Sequence, residues 1–365
     1  MSNLMTASHQ WATRPADQRF TELADLRASV HSRRTLSKAT DLSIRDLHVD
    51  LQGMDGSPDE RLVLNNKITP SEPTHWSFGQ LCTWGKAPAA YLRTLPLPIV
   101  KDALNYSIGN APREALKLMT LRNDSANGIN TLQAVTSPTY GRIWDADVVD
   151  AVQRIVDKTN GAFTNPLEWS GKKSGLYASD HDVFILMVNG GSIVNAGRDS
   201  KGREDILHRG FMVWNSEVGA STFGLMTFYF RFICGNHIIW GATDVNQLLI
   251  RHTSGGPARF DTQALPVLAS YINQSPAPME QAIRKAKAWL LPAKMDDLIE
   301  QVNKWGKFTR GEIREAVEYA TREEGDCRSL WNLVQGFTAS ARDYQFTDAR
   351  VELEKRSSKL LAVVS

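Results

Sequence analysis

Hydrophobic residues are densest between Arg209 and Gly241, a stretch rich in β-branched and aromatic side chains that reads as buried β-structure. Period-two alternation places Met226, Phe228, Phe230 and Phe232 on one face of a strand and Thr227, Tyr229, Arg231 and Ile233 on the other. Around it the pattern predicts strands over residues 176–188, broken by polar residues 179–182, and over 207–214, 222–233, 238–240 and 248–251. Gly190-Gly191 reads as a turn, and residues 198–204 as a charged hairpin tip.

Upstream, residues 46–52 and 61–64 form a hairpin pattern around Asp55-Gly56. Thr74 is placed to cap a helix that turns Trp76, Leu81 and Trp84 inward, and short helices are predicted over residues 88–95 and from Pro96 to Ile108. Residues 114–121 and 131–135 make a second hairpin, and Asp145 is expected to cap an amphipathic helix carrying Val148, Val149, Val152, Ile155 and Val156. Beyond Gly255-Gly256-Pro257 the pattern is helical, near 261–273, 278–291, 294–305, 309–323, 327–341 and 346–363, with a capping box at Thr309 and Glu312. The predicted class is α+β: a central, mostly antiparallel sheet with an N-terminal helical unit and a C-terminal helical bundle. The expected division is a partly ordered arm over residues 1–73, an α+β core over 74–260 and a helical region over 261–365.

Composition narrows the function classes. With 42% hydrophobic residues in 365, the chain can build a sizeable core. Lys and Arg number 42 against 40 Asp and Glu, so a net charge of +2 gives no long-range field, and anion binding must come from a local patch. Cys82, Cys234 and Cys327 show no C-x-x-C spacing, which argues against a zinc knuckle or a disulfide framework. The opening residues lack the basic start and apolar core of a signal peptide, and the run 223–233 is about half of the roughly 20 residues needed to cross a bilayer. A cytoplasmic protein without a membrane partner is expected.

Four polar groupings interrupt this apolar background. Ser179-Asp-His-Asp182 puts Asp180 and Asp182 on one side of an extended segment, as two metal-binding carboxylates require, or forms a polar turn bonded to its own amides. Asn215, Ser216 and Glu217 lie between two strands; Glu217 is a candidate general base and Asn215 an orienting amide, or the group closes a tight connection. Cys234, Asn236 and His237 raise a Cys/His pair, but three residues apart in a strand Cys234 and His237 face opposite sides. Finally Arg251, His252 and Arg259, with Arg231, Lys172 and Lys173, could form a phosphate-binding patch beside Tyr229, Trp214 or Trp240 as stacking rings; solvated charge and core aromatics explain the same residues. No P-loop or dinucleotide fingerprint occurs.

The segments Trp76-Ser-Phe-Gly-Gln-Leu81, Ala87-Pro-Ala-Ala-Tyr-Leu92, Tyr140-Gly-Arg-Ile-Trp144, Ser179-Asp-His-Asp-Val-Phe184, Asn215-Ser-Glu-Val-Gly219, Cys234-Gly-Asn-His-Ile-Ile-Trp-Gly241 and Arg251-His252 occur in the order that resembles the phage/plasmid-like family of domain of unknown function 932, over about residues 74–350. His181 stands where that family has arginine, which implies a cation there. The resemblance implies residence on phage, prophage or plasmid DNA. A β-meander followed by a helix also looks like the core of single-strand annealing proteins of the phage recombinase type. The leading expectation is therefore an accessory protein of a mobile element that binds single-stranded nucleic acid and promotes annealing, with no cofactor and with homo-oligomerisation open. The alternative is a metal-dependent nuclease or other phosphodiester hydrolase with a divalent metal on Asp180, Asp182, Glu217 and His237; a third is a non-catalytic host-interaction or anti-defence protein.

Overall fold

A computed structural model describes residues 14–53, 56–57, 60–65, 70–112, 115–123, 128–166, 173–198, 202, 204–231, 237–239, 247–343, 353, 356–357 and 359–363, with backbone alone at 192–193, 230–231, 237–239 and 342. The fold is α+β and is organised by two sheets. The larger is an antiparallel array running Arg19–Phe20, Leu176–Ala178, Val183–Arg198, Glu204–Asn215, Phe223–Arg231 and His237–Ile239, with Gln247–Ile250 also paired to Phe223–Arg231. The smaller runs Ser37–Ser43, Ala115–Leu121, Asn130–Thr136, Ser71–Pro73, Arg61–Asn65 and His48–Gln52, so both expected hairpins, 46–64 and 114–135, lie in it, on either side of Ser71–Pro73.

Each sheet face has its own cover. Leu81, Cys82, Val100, Leu104 and Ile108, from the helices His75–Gly85 and Leu97–Gly109, pack on Leu116, Leu118 and Leu132 of the smaller sheet. On the larger sheet, Ile185, Phe211, Val213, Phe223 and Leu225 bury against Val148, Val149 and Val152 of the helix Asp145–Lys158 and Phe260, Ala264 and Leu268 of the helix Gly256–Asn273. The opposite parity, Phe184, Met212, Trp214, Met226 and Phe228, forms a separate buried cluster, as the alternation predicts. The C-terminal helices, among them Arg310–Glu324 with its capping box at Thr309 and Glu312, close a third core around Trp331 and Phe337.

Three elements differ from expectation. Val183–Arg198 runs straight through Gly190 and Gly191: a register shift between Asn189 and Ile193 absorbs them as a bulge, and Gly191 donates to Asn189 Oδ1 at 2.9 Å. A helix, Leu23–Leu36, lies where the sequence suggests a loose arm; of its side chains only Leu26 and Val30 are buried, a stripe too thin to read against so many polar neighbours. Asp145 is the first residue of its helix and Trp144 the N-cap, because the Asp145 carboxyl turns inward. The predicted 346–363 helix falls largely outside the described residues; Leu360–Val363 is a 3₁₀ turn.

Candidate functional site

Two sheets meet at one end of the larger one, and five of the motif segments converge there. Val183 is registered opposite both Ala178 and Asn215, so residues 179–182 and 215–217 leave the sheet side by side. Ser216 Oγ donates to His181 O at 2.5 Å. The turn that follows is held from the smaller sheet: Trp76 Nε1 and Gln80 Nε2 donate to Val218 O at 3.2 and 2.8 Å, and Val218 packs on Met119 and Ala134. Tyr140 OH donates to Ser216 O at 3.2 Å, and Arg142 donates to Glu217 O. The 251–253 segment lies on the same loop, with Gly141 N donating to His252 O at 3.1 Å and the His252 ring stacked on Tyr140 at 5.2 Å. Gly141 permits this approach, since a Cβ there would run into the Thr253 carbonyl.

At the centre is a buried polar cluster. Asn215, fully buried, donates through Nδ2 to Ile143 O at 2.9 Å and to Asp145 Oδ1 at 2.7 Å. Glu217 Oε2 accepts from Asp145 N at 3.1 Å, so the two acidic residues lock a helix start onto a strand end. Burial, then the Glu217 carboxylate, pushes the Asp145 carboxyl up to about 8, against the opposing pull of Arg33 at 3.9 Å and of the Asn215 hydrogen bond. Burial likewise lowers the Arg142 guanidinium and raises the Tyr140 phenol. His252 is held down to about 4 by burial, with Nδ1 facing Ile143 N at 3.4 Å. At neutral pH the cluster thus contains a protonated carboxyl and a neutral imidazole.

The Asp-His-Asp turn is built differently. Arg14 grips Asp182 with two bonds of 3.2 and 2.8 Å, and Ser179 Oγ bonds the same carboxylate. His181 Nδ1 lies 2.7 Å from Asp180 Oδ1; that hydrogen bond raises the imidazole and lowers the carboxyl. The same contact with Asp180 favours the protonated form of His181.

The proposed four-ligand metal set does not converge. Asp182 is turned to Arg14 and Ser179, Asp180 to His181, and Glu217 to the amide of Asp145. His237 is registered opposite Arg231, whereas the end of that strand near Glu217 is Gly224, opposite Trp214. Seven residues of strand separate them, roughly 23 Å at the usual rise. Among the described residues, no group of three or more His, Cys, Asp and Glu could hold a metal ion.

The expected basic patch is also redrawn. Tyr229 is 2% exposed and packs edge-on to Tyr271 at 6.3 Å, so no base can reach its ring; Trp214 is buried on Gly224. Lys173 is paired with Glu22 at 2.7 Å, and the neutral His252 adds no charge. Lys172, Cys234, Asn236 and Trp240, and the side chains of Arg231 and His237, lie outside the described residues. Arg251 and Arg259 remain exposed. Missed from the sequence were Arg142 and Asp145, whose only signals were a basic residue between two aromatics and an acid at a helix start.

A family model described as Domain of unknown function (DUF932) matches residues 133–358, more than half of the chain. The chain belongs to the DUF932 family. The DUF932 match begins within Asn130–Thr136, so it takes in the Tyr140, Asp145, Asp182, Asn215 and Arg251 contributions and leaves the Trp76 and Gln80 anchors outside. No curated protein and no solved structure matches this DUF932 chain. No helix among the described residues is long and apolar enough to cross a membrane.

Proposed function

We infer that this DUF932 protein is an accessory protein of a phage or plasmid that binds single-stranded nucleic acid, with strand annealing as the activity that binding serves. One observation carries the reading. Arg251 and Arg259 are exposed and have no carboxylate partner among the described residues; Arg259, in the first turn of the helix Gly256–Asn273, donates to Arg251 O and Thr253 Oγ1, and the 251–253 segment rests on the 140–144 segment, where Arg142 lies 5.4 Å from the centroids of both Tyr140 and Trp144. Other arginines here are engaged: Arg14 with Asp182, Arg27 with Asp150, Arg34 with Asp147. Guanidinium charge that no carboxylate neutralises, on a segment seated against aromatic side chains, suits a flexible phosphate backbone with unstacked bases. The antiparallel meander Val183–Arg198, Glu204–Asn215 and Phe223–Arg231, followed by the helix Gly256–Asn273, agrees with the annealing analogy, although fold alone does not fix function.

The hydrolase reading is less well supported, because its carboxylates are each engaged with a different partner. The test is fluorescence anisotropy of a labelled oligothymidylate at a series of salt concentrations. Binding at micromolar protein is expected at low salt, and Arg251→Ala with Arg259→Ala should flatten the log–log salt slope by about 1.4, two phosphate contacts on a single strand. Absence of binding at low salt overturns the reading.

A further inference from the structure

Arg209, in the strand Glu204–Asn215, is only 3% exposed and sits between two apolar cores, with Leu207 on one side and Phe211 on the other along the same strand face. Its guanidinium lies 5.8 and 5.7 Å from the ring centroids of Tyr229 and Tyr271, near the outer limit of a cation–π contact. Ring faces offset charge but supply no lone pair, and the Tyr271 hydroxyl is turned to Phe228 O at 2.6 Å. Among the described residues no carboxylate pairs with Arg209, and its Nε and Nη2 are buried without a hydrogen-bond partner. A buried charge is tolerated when it is paired and hydrogen-bonded. The two orphaned nitrogens are those on one edge of the guanidinium whose N–H bonds run parallel, the fork that grips both oxygens of a carboxylate or a phosphate. Beside this residue the sheet is interrupted. Arg209 is registered opposite Asn189 on one side and Tyr229 on the other, so the three side chains share a face. Asn189 is half-buried and is the last residue before the Gly190-Gly191 bulge; both glycines are exposed, and a Cβ on Gly190 would meet nothing within 4 Å. The bulge thus brings solvent up to the neighbour of the buried guanidinium.

We propose that Arg209 binds one small oxyanion, a carboxylate or a phosphate, through Nε and Nη2, and that the anion enters past Asn189 at the bulge. The fork selects a ligand with two oxygens on one centre over a halide, and burial of the guanidinium limits the ligand to a small one. Six residues of strand separate Tyr229 from Phe223, which is registered opposite Ile250, so the site lies roughly 20 Å along the sheet from Arg251. It is therefore independent of the nucleic-acid surface and of the reading that rests on it.

The experiment is a set of thermal melts on the full chain at constant ionic strength, in chloride alone and with acetate or phosphate replacing part of it, for wild type, Arg209→Met and Arg209→Lys. Methionine keeps an unbranched side chain among apolar neighbours and removes the buried charge, so this variant should fold. Wild type is expected to show a saturable rise of about 2 °C with an oxyanion at millimolar concentration, and Arg209→Met none. Arg209→Lys keeps the charge and loses the fork, so its half-saturation should need about tenfold more anion. A response to acetate alone marks a carboxylate site, and a response to phosphate alone a phosphate site. An equal response in wild type and Arg209→Met is the general effect of these salts on folding and overturns the proposal. Binding is also read on wild type alone, by saturation transfer to the acetate protons and broadening of the phosphate phosphorus line; absence of both effects overturns the proposal even where a variant fails to fold.

Discussion

The 215–217 turn and the 251–259 segment, which runs into the helix Gly256–Asn273, both touch residues 140–145, yet they use their polar groups in opposite ways. Asn215 and Glu217 face inward and bind the start of a helix, with Asp145 holding a proton at neutral pH. Arg251 and Arg259 face outward and carry charges that no described carboxylate balances. Conspicuous acids in an apolar run need not be chemistry: here the carboxyl groups of Glu217 and Asp145 fix the start of a helix, and the unbalanced charge lies on the neighbouring 251–259 segment.

The strongest test of that division is Asn215→Ala. It removes both donors from Ile143 O and Asp145 in a site closed to water, and a loss of about 3 kcal/mol is expected in urea unfolding. If stability falls by less than about 1 kcal/mol, the cluster is not the anchor claimed for it. Gly141→Ala should cost about 2 kcal/mol by wedging the Thr253 carbonyl away, and single-strand binding should fall with it because the arginine loop loses its seat. Unchanged binding in that variant would separate the two regions.

The smallest effect is on pH. Asp145 has its proton held up to about 8 in the folded protein against an ordinary value of 3.8, so the folded chain keeps a proton that the unfolded chain releases. Its stabilising contribution is complete below about 4 and is lost as pH rises to about 8. His252, held down to about 4 from 6.5, acts in the other direction, and its contribution is lost as pH falls between those values. Melting temperatures of Asp145→Asn should therefore decline less than wild type between pH 6.5 and 8. An identical decline would show that Asp145 is ionised throughout.

Much of the architecture was legible because it rests on local periodicity. The Thr74 cap, both hairpins, the alternation from Phe223 to Arg231 and the Thr309 capping box all appear where the pattern places them. The site was only half legible. An antiparallel return could bring either residues 215–217 or residues 234–237 beside 179–182, and only the register selects the first; the role of Asp145 was not legible at all, because its inward turn is decided by Asn215, 70 residues away. Tyr229 misled for a similar reason: period two shows that it faces away from Phe228, but not that Tyr271 covers that face.

The seating of the 251–253 segment on the 140–144 loop has a kinetic consequence. His252 meets Ile143 across 109 residues, and Trp76 meets Val218 across 142, so the loop closures behind this contact are among the longest in the fold. Such contacts carry a loop-closure cost that falls once the intervening strands have paired. A ribosome making the chain will have released both sheets' strands before Arg251 emerges, and the arginine surface should be completed late, as a report that the large sheet has closed correctly.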